Sequence, residues 1–325
     1  MKLNPAVGGR LTVVAHGQVS SPDISANGQV VVYNEFKDGE TAVYKWQAED
    51  TVKLTTDHYP SMHPTVNEDG TVVAFTRYSA NSPSQAGSWD VARWENGQTQ
   101  MLATGPGHEM DPKISDDGRT VVWDDDEDGK FTHGNIVKWH DGEVSSVTTG
   151  REFNLFPELS GNGERVVWRK FKDGDSALWL QDEAGTVKPF LSAKGDLFQH
   201  SLSDSGTRLV FSDNSGADDD LMFHDERTGQ SRMVAGKTEV NETWASISGD
   251  GHTIAWTELD FRKGTPAATN VFLEREGQVL QVTIADKGEG LNVSPELSRD
   301  GKSLVWTWID SKDTDNRKIY KLDLE

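Results

Sequence analysis

The sequence predicts an all-β chain, a seven-bladed β-propeller of four-stranded antiparallel blades, and three observations carry that prediction. A segment Pro-x-(Ile/Leu)-Ser-x-(Asp/Asn)-Gly, followed by an apolar run ending in an aromatic residue, recurs seven times in variant forms. Its glycines, Gly28, Gly70, Gly118, Gly163, Gly206, Gly251 and Gly301, lie 42 to 50 residues apart. A repeat of that length built from short strands reads as one blade, because each unit hides its faces only against its neighbours. The third observation is at the ends of the chain. The last repeat stops after a third strand, at Leu322-Asp323-Leu324-Glu325, while Arg10-Leu11-Thr12-Val13-Val14 opens the chain as an orphan resembling Lys53-Leu54-Thr55, a fourth strand. Pairing of residues 10–15 with 295–325 completes the last blade, hides two sheet edges and makes residues 1–325 a single domain.

Within a repeat, the first strand carries the Pro-x-Ile-Ser segment. An Asn-Gly or Asp-Gly corner follows, as at Asn27-Gly28, Asp117-Gly118 and Asp300-Gly301, and predicts a type I′ hairpin turn. Repeat 5 has Ser205-Gly206 instead. The second strand ends in Tyr33, Phe75, Trp123, Trp168, Phe211, Trp256 or Trp306. The third and fourth strands, such as Ile136 to Trp139 and Ser146 to Thr149, are rich in β-branched and aromatic residues and alternate in part.

The balance of 32 basic against 53 acidic residues, net −21, disfavours phosphate backbones and anionic membranes, so no nucleic-acid partner is expected. No apolar stretch is long enough to span a bilayer, and no membrane insertion is expected. Cysteine is absent, which removes disulfides and thiol chemistry without choosing a compartment. The opening residues lack the apolar core of a secretion signal, leaving either the cytoplasm or a signal already removed.

The turns joining first to second and third to fourth strands are short and stereotyped, whereas the other connections are long and varied. Function is therefore expected on the face bearing the varied loops, around the mouth of a central channel. The loops leading into the first strands supply the candidate ligand-binding residues: His58, Tyr59 and His63; His108, Glu109 and Asp111; Asn154 and Phe156; Gln199 and His200; Glu242 and Trp244. Polar groups mixed with aromatics suit a pocket, and the competing reading is that these side chains plug the channel or pack between blades. Most of the eleven tryptophans repeat at equivalent positions and read as packing; Trp244 is the exception in these loops.

Asp124, Asp126 and Asp128, with Gly129, match the front of a calcium loop, where alternating oxygens wrap the ion. The twelfth position is Asn135 rather than a bidentate Glu, so a solvated acidic hairpin tip is the alternative. No Gly-x-Ser-x-Gly elbow, phosphate loop, short-spaced His pair or Ser/His/Asp arrangement stands out.

Pro157-Glu158-Leu159-Ser160, Pro295 to Gly301 and the Asn135-Ile136 and Asp220-Leu221 starts of the third strands resemble the TolB-type, WD-repeat-like propeller family over nearly the whole chain. The resemblance implies the propeller fold. It implies no single activity, since the family includes periplasmic interaction scaffolds, gating propellers of prolyl peptidases and a class of pectin-fragment lyase. These 325 residues are expected to leave no room for the hydrolase domain of the peptidases or the extra helical domain of the TolB scaffolds. The leading expectation is a non-catalytic binding scaffold for a protein, peptide or glycan. The alternative is a metal-assisted lyase or hydrolase acting on an oligosaccharide in the channel. Its ligands would be His63, His108, His200 and Glu109, with Glu242 or Asp111 as base.

Overall fold

Each repeat folds into a small antiparallel sheet, because alternating β-branched and aromatic runs are cut by turns at regular intervals. The computed structural model describes residues 1–80, 87–105, 107–126, 129–130, 133–172, 175–192, 195–260, 269–285 and 288–325, and no helix occurs among them. By internal contacts the chain divides into two units. One comprises Gln29–Ser192; the other comprises Met1–Gly28 with Ala193–Glu325.

In the unit Gln29–Ser192, repeat 1 contributes the antiparallel strands Val30–Lys37, Glu40–Gln47 and Asp50–Lys53. Repeats 2, 3 and 4 form complete four-stranded sheets, with first strands Ser61–Val66, His108–Ile114 and Phe153–Leu159. In repeats 2, 3 and 4 the aromatic ending the second strand packs against the preceding sheet. Trp123, 1 % exposed, shares a core with Val72, Val91 and Leu102 of repeat 2, and Trp168 does the same with Val122 and Ile136 of repeat 3. Burying such a ring is worth roughly 4–6 kcal/mol before entropy is counted.

In the other unit, repeats 5 and 6 begin with Leu197–Leu202 and Val240–Ile247. Repeat 7 comprises Leu291–Leu297, Ser303–Ile309 and Arg317–Asp323. The long strand Arg10–Ile24 lies antiparallel to the last of these, from Arg10 opposite Asp323 to Gly17 opposite Arg317. Met1, Leu3 and Val7 pack on the core containing Trp306, Tyr320 and Leu322.

The corner after each first strand differs from the expected type I′ turn. Only glycine has positive φ there, 64–76° in all seven repeats, and its N–H bonds back three residues, as from Gly28 to the Ser25 carbonyl. A side-chain device explains the choice. Ser298 Oγ donates to Asp300 Oδ1 at 2.6 Å, and that oxygen also accepts from the Lys302 N–H. Ser115 with Asp117 and Ser248 with Asp250 repeat the arrangement. Type I′ geometry appears instead between third and fourth strands, where both residues of Asn96-Gly97, Asp141-Gly142 and Glu276-Gly277 have positive φ.

Candidate functional site

The first strands hold the candidate residues. Apart from His58 and Tyr59, they lie not in connecting loops but on the strands, before or within a bulge interrupting the ladder, as between Met110 and Lys113 or Thr243 and Ser246. One non-glycine residue, seven before the corner glycine of each repeat, has positive φ: Ser21, His63, Asp111, Phe156, Gln199, Trp244 and Ser294, all at 49–57°, and from His63 to Ser294 it sits in the bulge. Bulges re-aim side chains, and this backbone costs a non-glycine residue about 1–2 kcal/mol.

In the unit Gln29–Ser192, three bulge residues are linked. His63 Nδ1 lies 3.5 Å from Asp111 Oδ1, and the Phe156 N–H donates to Asp124 Oδ2 at 3.2 Å. Burial, followed by the charge of Asp111, holds the Asp124 carboxyl well above the usual carboxylate range. Phe156 is 46 % exposed. Tyr59 lies beneath the Arg77 guanidinium, 4.8 Å from its ring centre, while His58 is exposed beside Glu40. His108 Nδ1 accepts from the Trp89 N–H at 3.2 Å.

Asp124 and Asp126 are buried on one strand, and Asp128 lies outside the described residues. Among the described residues no three His, Asp or Glu side chains are arranged to hold a metal ion.

Two residues before each bulge residue, and fourteen before the second-strand aromatic, lies a position whose role the sequence reading missed. In repeats 4 and 7 it is asparagine. Asn154 Oδ1 accepts from the Trp168 indole at 2.9 Å, and its Nδ2 donates to the Gly134 carbonyl. Asn292 joins Trp306 to the Thr269 carbonyl in the same way. In repeats 3 and 6 the position is Glu109 or Glu242, 3 % and 0 % exposed. Trp123 Nε1 and Trp256 Nε1, the matching indoles, and one oxygen of each glutamate, Oε2, have no hydrogen-bond partner.

Burial raises Glu109 to about 9, helped by Asp125 and Asp90, the latter also hydrogen-bonded to it. Burial raises Glu242 to about 8, against the Lys237 N–H, which donates to its Oε1. The equivalent third-strand residue of the preceding repeat changes with each position: Asn135 and Asn270 come before the asparagines, Asp90 and Asp220 before the glutamates. The spacing to tryptophan was the available signal, and it becomes visible once the bulge fixes the alignment.

Gln199 and Trp244 are joined in the other unit: Gln199 Oε1 accepts from the Trp244 N–H at 2.9 Å and from the Thr243 hydroxyl. His200 is buried beside them on its strand.

No protein-family model matches the chain, and no curated protein matches its sequence. Solved structures do match its fold. An oligogalacturonate lyase in complex with manganese aligns with a TM-score of 0.70 at 13% identity, over 100% of this chain and 95% of that one. The β-propeller domain of the Trilobed protease from Pyrococcus furiosus gives 0.67 at 12%, over 96% and 97%. TolB from Acinetobacter baumannii gives 0.55 at 14%, over 98% and 79%. The shared property is the all-β propeller fold, built from four-stranded antiparallel sheets.

Proposed function

We propose that the chain is a non-catalytic binding scaffold that takes a protein, peptide or glycan at its first-strand bulges. The carrying observation is the bulge itself. Seven equivalent backbone positions share one strained conformation, yet they hold Ser, His, Asp, Phe, Gln, Trp and Ser. Glycine would relieve the strain everywhere, and none is present. A constant backbone presenting varied polar and aromatic groups is what recognition on a rigid scaffold needs. In this reading the seven repeats close as one ring, the pairing of Arg10–Gly17 with the last strand supplies the seal, and the bulge residues surround the channel mouth.

Arrayed peptides and oligosaccharides provide the test. A ligand bound by the wild type is expected to lose at least about tenfold in affinity with Phe156→Ala or Asp111→Asn, one anchor's worth of binding energy. Binding unaffected by both, or no binder in either array, overturns the reading.

The alternative of a lyase or hydrolase draws on Glu109 and Glu242, whose raised carboxyls suit proton transfer, and on a lyase among the fold neighbours. Oligosaccharide cleavage that requires manganese and stops with a chelator would favour it.

A further inference from the structure

We propose that a groove between repeats 5 and 6 binds an aromatic residue of an uncharged peptide segment. The groove lies at the corner end of the strands, away from the bulges, and stands independently of the reading above. Repeat 5 supplies one wall from the strands Arg208–Asp213, Asp220–Asp225 and Gln230–Ala235. Repeat 6 supplies the other from Thr269–Arg275, Gln278–Gln281 and the corner at Gly251. The cavity between them measures about 580 Å³.

An exchange of two residues creates it. In repeats 1, 2 and 3 the third-strand residue opposite the one before the second-strand aromatic is Lys45, Arg93 or Lys138. Each donates to the carbonyl of the next corner glycine, Gly70, Gly118 or Gly163, at 2.6–3.2 Å. The residue packed against that glycine, three before the aromatic, is small: Val30, Val72 or Thr120. Repeat 5 reverses the two. Phe223 takes the third-strand place, and Arg208 packs against Gly251, where an added Cβ would stand 2.5 Å from Arg208 Cδ. A phenyl ring has no donor to offer, and among the described residues the Gly251 carbonyl receives no hydrogen bond.

Two features of the lining select the ligand. Arg208 donates from Nε to Asp225 at 2.9 Å and from Nη1 to the Asp250 carbonyl and His252 Nε2, so Nη2 is left without a bond beside the Gly251 carbonyl. A donor next to an acceptor matches one amide group, which accepts at its carbonyl and donates at its N–H. Arg232 provides the second feature. Glu274 holds the edge of its guanidinium at 2.6 and 3.0 Å, Phe223 backs it with its ring centre 4.9 Å away, and nearly half of the side chain is exposed. A flat cation fixed at its edge and backed on one face offers the other face to an aromatic ring. Val234 and Val279, the latter 52 % exposed, add apolar wall. Arg208 with Asp225 and Arg232 with Glu274 already neutralise one another, and the Glu276 carboxylate on the lining disfavours an anion. An uncharged aromatic residue with its flanking amides meets all of these demands.

The full-length chain is titrated with a capped Gly-Phe-Gly peptide and followed by amide NMR shifts. The expected result is saturable binding that shifts Gly251 and Gly277, both on the groove. Arg232→Ala and Val279→Asp should each weaken it about tenfold, with thermal melting to establish that each variant is folded. Val279 is exposed, so its replacement leaves the core intact if Arg232→Ala fails to fold. Val144→Asp places the same charge at an exposed valine on the fourth strand of repeat 3 and should leave the affinity unchanged. A capped Gly-Leu-Gly peptide keeps the amides without the ring, and 3-phenylpropanol keeps the ring without the amides. Each should bind at least about tenfold more weakly.

Absence of saturation, equal binding of either control ligand, or wild-type affinity in both Arg232→Ala and Val279→Asp overturns the proposal. So does an equal loss in Val144→Asp and Val279→Asp, which would trace the effect to added charge rather than to the groove.

Discussion

A tryptophan N–H buried between two sheets needs an acceptor, and repeats 4 and 7 answer with an asparagine that also ties down a carbonyl of the preceding repeat. Replacing Asn154 or Asn292 with alanine strands the indole and the carbonyl together. The expected loss is about 1–3 kcal/mol, read from urea unfolding midpoints. Glu109 and Glu242 occupy the same position as neutral acids near neutral pH, because burial disfavours their charge. A protonated carboxyl offers one O–H donor beside its acceptor oxygens, where the asparagine amide offers two N–H donors and one acceptor oxygen. The folded-state value of Glu242 is raised from 4.5 to about 8, so the stability it contributes is fully present below 4.5 and is lost as pH climbs through about 8. Urea midpoints should therefore fall between pH 5 and 9, and Glu242→Gln should flatten that component of the slope. An unchanged slope in Glu242→Gln would show that the carboxyl is not held neutral.

At the scale of the element, the serine and aspartate corner and the bulge govern the first strand from its two ends. Asp300→Ala removes an acceptor shared by Ser298 and the Lys302 N–H, and the expected cost is about 1–2 kcal/mol by thermal or urea unfolding. The bulge should behave in the opposite sense. His63→Gly relieves a left-handed backbone at the expense of a more flexible unfolded chain, so its stability should stay within about 1 kcal/mol of wild type. A loss well beyond that would mean that the His63 ring supports the fold. The repeat spacing, the strands and the corner glycines were all legible in the sequence, since turn chemistry and apolar alternation are local. The bulge was not, because nothing distinguishes His63-Pro64 or Trp244-Ala245 from an ordinary extended pair until the ladder on either side is known. The turn type was misread for a related reason: the choice depends on a serine two residues away from the aspartate, not on the Asp-Gly pair alone.

For the molecule as a whole, the pairing of Arg10–Gly17 with Arg317–Asp323 joins residues from opposite ends of the chain and places Met1, Leu3 and Val7 on the core around Trp306. Deleting residues 1–17 should expose the edge of the last sheet and part of that core. The expected outcome is a lower, broader thermal transition with increased aggregation at the freed edge. A transition as sharp and as high as in the intact chain would contradict the sealing role proposed for this strand.

Seven repeats, their strands and the partnership of the terminal segments could be deduced from residue order, because a repeating pattern reports the same local physics many times over. Most of the candidate residues could also be named, since they precede the recurring proline. Their roles depended on contacts across strands and between neighbouring sheets. Asn154, a ligand-binding candidate by sequence, clasps an indole, and Glu109 and Glu242 share its position as buried carboxyls held in the neutral form. Asp90, Asp125 and Lys237 entered only through register, because charge and burial at one site are set by residues distant along the chain.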